Sequence, residues 1–164
     1  MKTTMPVTLA TESIRPLDVI VADDEPADNL LLALAALDAG VEMNFTFAED
    51  GEELLRMLSE RVTSGNAPDV VVLDIRMPRC TGLEAMELIS LSHDLRKIPV
   101  VMFTTSRRDA DMERGLSLGA TRFEIKPSTY PASLASIASW KTWIAYFALA
   151  RRASSLSALT RIGS

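Results

Sequence analysis

Asp69-Val-Val-Val-Leu-Asp-Ile-Arg-Met-Pro-Arg-Cys-Thr-Gly82 is the stretch from which the fold can be read. Val70 to Leu73 are apolar and mostly β-branched, which favours a strand, and they lack polar alternation, which predicts burial on both faces. The run stops at Asp74, and the segment that follows contains Pro78 and ends at Gly82. Two other segments share this form: Asp18-Val-Ile-Val leads to Asp23-Asp24-Glu25, and Pro99-Val-Val-Met-Phe leads to Thr104. Working outward, strands are expected at Leu17–Ala22, Val41–Phe47, Val70–Leu73, Pro99–Thr104 and Thr121–Ile125. Helices are expected at Pro26–Ala39, Glu52–Arg61, Gly82–Ser92, Asp109–Leu118 and Pro131–Arg152. The first helix carries Leu30, Leu31, Leu34 and Leu37 and stops at Gly40, a residue suited to the left-handed conformation that ends helices. Strands buried on both faces alternate with helices long enough to cross over. The expected fold is therefore α/β, a doubly wound (βα)5 arrangement with a five-stranded parallel sheet.

The chain has 164 residues, 48% of them hydrophobic. That suffices for one domain with a core and not for two ordinary ones. Residues 1–16 lack periodicity and read as a flexible arm, residues 17–152 as the domain, and residues 153–164 as a tail. A net charge of −5 and a pI near 4.9 weigh against direct nucleic-acid binding, which relies on clustered Lys and Arg. Cys80 has no second cysteine to pair with, and no Cys or His spacing suggests a zinc site. The apolar patch near the N-terminus is too short for a signal-peptide core. Trp143 to Ala150 falls far short of the ~20 residues that cross a bilayer. No membrane span and a cytoplasmic location are expected.

In an open parallel sheet, ligands gather at the carboxyl ends of the strands. There the expected strands deliver Asp23, Asp24 and Glu25, then Asp74, Thr104, and Lys126-Pro127. Singly, each has an ordinary explanation as a helix cap or a loop residue. Together they form a chemical device. Clustered carboxylates repel unless a cation lies among them, and hard oxygen donors suit Mg²⁺. Such a cation would bridge Asp24 and Asp74 to a phosphoryl oxygen, with Lys126 and the Thr104 hydroxyl holding the other oxygens. Asp74 would be the nucleophile. Carboxylate attack on phosphorus needs no histidine base.

Through these residues the chain resembles the receiver domain of two-component response regulators, with its flavodoxin-like fold, over roughly residues 17–150. The resemblance rests on Asp23-Asp24-Glu25, Asp74 through Gly82, Thr104-Thr105-Ser106 and Lys126-Pro127, with intervals of 30 residues from Asp74 to Thr104 and 52 from Asp74 to Lys126. It implies that Asp74 is the phosphoacceptor and that Asp24, Asp74 and the Arg76 backbone carbonyl ligate Mg²⁺, with Asp23 assisting through water. It also implies that Thr104 and Phe123 form a conformational switch, against the plainer reading of Phe123 as a core residue. Thr105 stands where the family often has Ala or Gly, and Cys80 where Met is common. Such a protein takes its phosphoryl group from a sensor histidine kinase or a phosphotransfer protein and is not an enzyme acting on other substrates.

Too little sequence follows Arg152 for an effector domain, so the output is expected to be altered protein contacts. On the last helix, Leu134, Ile137, Ala138, Ile144, Ala145 and Ala148 form one apolar stripe, and Trp140, Trp143 and Phe147 a second. The second stripe is expected to mediate homodimerisation, unless both stripes are buried in the monomer. The segment Leu91 to Ser106 followed by an aromatic last helix is similar to single-domain regulators that partner bacterial phytochromes, which implies a stand-alone dimer served by a photoreceptor kinase. Three rivals stand against this reading. A haloacid-dehalogenase-type phosphatase requires a second Asp where Arg76 stands. A flavodoxin-like cofactor binder would not present the acidic loop Asp23-Asp24-Glu25-Pro26 to phosphate. A phosphorylation-independent adaptor of the same fold would usually have lost one of the key residues, and here all are retained.

Overall fold

The structure, a computed structural model, describes residues 15–142. Five strands, β1 (Leu17–Ala22), β2 (Met43–Ala48), β3 (Val70–Leu73), β4 (Val100–Thr104) and β5 (Arg122–Ile125), form one sheet in the order β2-β1-β3-β4-β5. Every pairing is parallel. Between the strands run α1 (Pro26–Asp38), α2 (Gly51–Thr63), α3 (Gly82–Leu91) and α4 (Asp109–Ser117). A helix α5 begins at residue 130 and continues through residue 142. The five-stranded parallel α/β architecture expected from the sequence is the one observed.

The central strands bury both faces. Ile20, Ala22, Val71, Leu73, Val100 and Met102 meet Leu54, Leu58, Ala85, Met86 and Ile89 on one side. Val19, Val21, Val70, Val72, Val101 and Phe103 meet Leu32, Ala35, Ala36, Ile137 and Trp140 on the other. Successive side chains alternate between the two layers, and each large one contributes about 1.5–3 kcal/mol by leaving water.

Two expectations are corrected. Val41 does not begin β2. The N–H of Gly40, at φ 65°, donates to the Leu37 carbonyl, and that of Val41 to the Ala36 carbonyl. This pair of bonds terminates α1 and draws Val41 into the cap. Trp140 is not an exposed interface residue. It is 1% exposed, lies edge-on to Phe103 with ring centroids 5.2 Å apart, and donates its Nε1 proton to Glu124 at 2.9 Å. Ile137 and Trp140, three residues apart, share the helix face that covers the sheet. Trp143 and Phe147 lie outside the described residues, as do the expected end of α5, the tail and most of the arm.

On α1 the buried residues are Leu32, Ala35 and Ala36, whereas Leu30, Leu31, Leu34 and Leu37 are exposed. No helix among the described residues is long and apolar enough to cross a membrane.

Candidate functional site

Each parallel strand ends on the same edge of the sheet, so loops far apart in sequence converge there. Asp23 follows β1 and Asp74 follows β3; each is 6% exposed, while Asp24 is open to solvent. One carboxylate oxygen from each of Asp23, Asp24 and Asp74 can be chosen so that all three lie within 4.8 Å of one another. The backbone shapes this group. The Glu25 N–H donates to Asp23 Oδ1 at 3.0 Å. The Ile75 N–H donates to Asp74 Oδ1 at 2.7 Å, and the Arg76 N–H, at 3.4 Å, lies at the limit of such a bond. Asp74 Oδ2 is left facing Lys126.

Lys126 lies just beyond β5. Its Nζ donates to Asp23 Oδ2 at 2.6 Å, Asp28 Oδ2 at 2.7 Å and Asp74 Oδ2 at 3.2 Å. Burial opposes its charge, but the bonds to Asp23 and Asp28 and the nearby Asp74 carboxylate prevail and hold the ammonium well above the usual lysine range. Asp23 shifts upward. Burial raises its carboxyl more than the Lys126 and Glu25 hydrogen bonds lower it. Three carboxylates, those of Asp23, Asp28 and Asp74, thus gather around one ammonium, and Asp24 joins Asp23 and Asp74 in the oxygen cluster. An all-oxygen donor set with surplus negative charge fits a hard divalent cation.

Thr104, at the end of β4, is fully buried. Its Oγ1 accepts the Ser106 N–H at 3.2 Å, and its carbonyl accepts the Lys126 N–H at 2.8 Å. Phe123 is half-buried and packs on the layer formed with α2 and α3. A Cβ on Gly115 of α4 would lie 3.5 Å from the Phe123 ring. The structure therefore brings Asp23, Asp24, Asp74 and Lys126 together, with Thr104 on the adjoining strand end and Phe123 on β5, three residues before the lysine.

Three features of this edge are not signalled by the strand-end pattern. Asp28, in the first turn of α1, is the third partner of Lys126. Asp50 caps α2 through the Glu53 N–H at 2.8 Å and pairs with Arg79, which adopts a left-handed φ of 61°. Gly51 donates its N–H to the Cys80 carbonyl at 3.0 Å, adding a second tie between the loops after β2 and β3. Only the Asp-Gly pair before a helical run, a capping signal, hinted at any of this.

An open parallel sheet with an acidic cluster and a buried lysine at its carboxyl edge has the chemistry of a protein that handles phosphoryl groups with a divalent cation. The chain belongs to the response regulator receiver domain family, which it matches over residues 19–138. It is 32% identical over 120 residues to the probable methanogenesis regulatory protein FilR2 of Methanothrix harundinacea, covering 73% of this chain and 77% of that one. Several other curated relatives are longer, and the chain spans about half their length or less. Among solved structures it resembles the response regulator RPA3017 in red light signaling of R. palustris, with a TM-score of 0.70, 26% identity, and coverage of 77% of this chain and 93% of that one. It likewise resembles the bacteriophytochrome response regulator AtBRR, with a TM-score of 0.61, 32% identity, and coverage of 74% and 89%.

Proposed function

We propose that this response regulator accepts a phosphoryl group on Asp74 from a sensor histidine kinase and signals by changing its contacts with other proteins. The observation that carries this reading is the juxtaposition of Asp74 Oδ2 and Lys126 Nζ at 3.2 Å beside the oxygen cluster of Asp23, Asp24 and Asp74. Asp24, Asp74 and the Arg76 carbonyl would hold Mg²⁺, with Asp23 assisting through water. When bound, Mg²⁺ supplies the positive charge that offsets the carboxylates and a phosphoryl oxygen.

An Asp74 oxygen attacks phosphorus. An O–P bond forms while the P–N bond to the donor imidazole breaks, its electron pair staying on nitrogen. Lys126 and Thr104 stabilise the transferred oxygens, and Thr104 gives up its present bond to the Ser106 N–H as it does so. Phe123, three residues before Lys126, moves with the end of β5 and carries the change to the surface. The protein thus catalyses only its own phosphorylation and dephosphorylation, in the cytoplasm.

The likeness to a bacteriophytochrome regulator and to a red-light regulator supports a photoreceptor kinase as the donor. Self-association through the C-terminal helix rests on Trp143 and Phe147, with Trp140 withdrawn from that face. Trp143→Ala with Phe147→Ala is expected to convert a dimer to a folded monomer in analytical ultracentrifugation. A monomeric wild type would refute the dimer.

Intact mass after incubation with phosphoramidate tests the acceptor. Wild type is expected to gain one phosphoryl group only when Mg²⁺ is present, and Asp74→Asn none. An adduct that persists in the variant would overturn the assignment. An adductless wild type, even with its kinase, would favour a phosphorylation-independent adaptor.

A further inference from the structure

An ammonium group has three N–H donors, and Lys126 uses all of them, on Asp23, Asp28 and Asp74. Two of these partners belong to the oxygen cluster able to hold a cation, and Asp28 does not. Once a cation engages Asp23 and Asp74, and Asp74 becomes an acyl phosphate, both are weakened as acceptors for Lys126. Asp28 is the one partner that lies outside the cation cluster and does not become esterified. We propose that Asp28 is a positioning residue for phosphoryl transfer, tethering the Lys126 ammonium beside Asp74 while its other partners are engaged elsewhere; this rests on the phosphoacceptor reading above.

The placement of Asp28 suits a tether. Pro26 opens α1 and Glu25 caps it. The Asn29 side-chain amide donates to the Asp23 carbonyl at 3.2 Å, so the first turn is fastened to the loop that carries the acidic pair. Lysine has a flexible four-carbon stem and no inherent preference for one acceptor. A carboxylate on a fastened helical turn restricts where its ammonium can reside. The Lys126 side chain is 9% exposed and that of Asp28 is 38% exposed, so the tether reaches the lysine from the solvent side and can be altered without opening the core.

Asp28→Ala and Asp28→Asn separate placement from charge. Both remove one negative charge, but the asparagine carbonyl oxygen can still accept the Lys126 N–H. Calorimetric titration with Mg²⁺ should show affinity falling by a similar factor, about two- to threefold, in both variants. At saturating Mg²⁺, phosphorylation of the full chain by phosphoramidate should slow about tenfold in Asp28→Ala, as misplacement of a catalytic group implies. Asp28→Asn should retain most of the wild-type rate.

Thermal midpoints should match wild type. If the alanine variant fails to fold, Asp28→Ser, too short to reach the lysine, takes its place. An alanine variant with the wild-type rate would overturn the tether, as would an asparagine variant as slow as the alanine one. Failure of wild type itself to acquire a phosphoryl group would overturn the acceptor reading and the tether with it. Slow variants beside a competent wild type cannot arise from that failure.

Discussion

A Cβ placed on Gly82 would lie 2.0 Å from the Asp74 carbonyl oxygen, because α3 starts against the backbone of Asp74. Gly82→Ala must push the loop after β3 away from the sheet. It should cost about 2–4 kcal/mol in urea unfolding and abolish the phosphoryl adduct in intact mass. Asp23 presents the opposite case, a charge held against its preference. Its carboxyl is raised by burial, so the ionised form costs stability as pH rises through that raised value. Asp23→Asn should therefore stabilise the cation-free protein at neutral pH in urea unfolding, and should reduce the gain in stability that Mg²⁺ confers. Among single residues, those at strand ends were legible in the sequence because the strand itself announces them. Asp28 was not, since an acidic residue in the first turn of a helix already has an ordinary role in complementing the helix dipole.

The last helix shows where periodicity stops informing. The two apolar stripes do not stay separate, because the face against the sheet takes Ile137 from one and Trp140 from the other, the indole being held by Phe103 of β4 and Glu124 of β5. Trp140→Phe keeps the packing ring but removes the Nε1 bond to Glu124, and should lower stability by about 1 kcal/mol. Trp140→Ala should cost about 3–5 kcal/mol. Both are measurable by thermal or urea unfolding. The strip of α1 that covers the core was equally hidden, because its small residues Ala35 and Ala36 lie inward and four leucines outward. Between elements, the loop after β3 is tied to the start of α2 by Arg79 and Asp50. Alanine at position 79 keeps the cost of a left-handed φ and loses the ion pair, whereas glycine loses only the pair. Arg79→Gly should therefore be more stable than Arg79→Ala by about 1 kcal/mol, reversing the order expected in a helix or strand. No local pattern signalled this loop-to-loop tie, since its two halves lie 29 residues apart.

Across the whole molecule, the parallel sheet and the convergence of loops on one edge were legible from apolar runs alternating with crossover helices, whereas the strand order β2-β1-β3-β4-β5 was not. What the sequence could not supply was which long-range polar pairs close around the pocket. The pH response belongs to this scale. Asp50 is held below its ordinary 3.8, first by the Glu53 N–H. Its contribution to stability is complete above that ordinary value and disappears as pH falls through the lower folded value. Asp50→Asn should flatten the acid limb of a stability-versus-pH curve measured by urea unfolding. One further consequence concerns biosynthesis. Lys126 meets Asp23 across 103 residues of chain, and it follows β5, an edge strand that pairs only with β4. At about 5–20 residues per second, the ribosome releases Asp74 several seconds before the lysine that completes its pocket. On the proposed acceptor reading, a nascent or truncated chain lacking Lys126 is expected to remain unphosphorylated, and competence to receive a signal would certify that synthesis has run past β5.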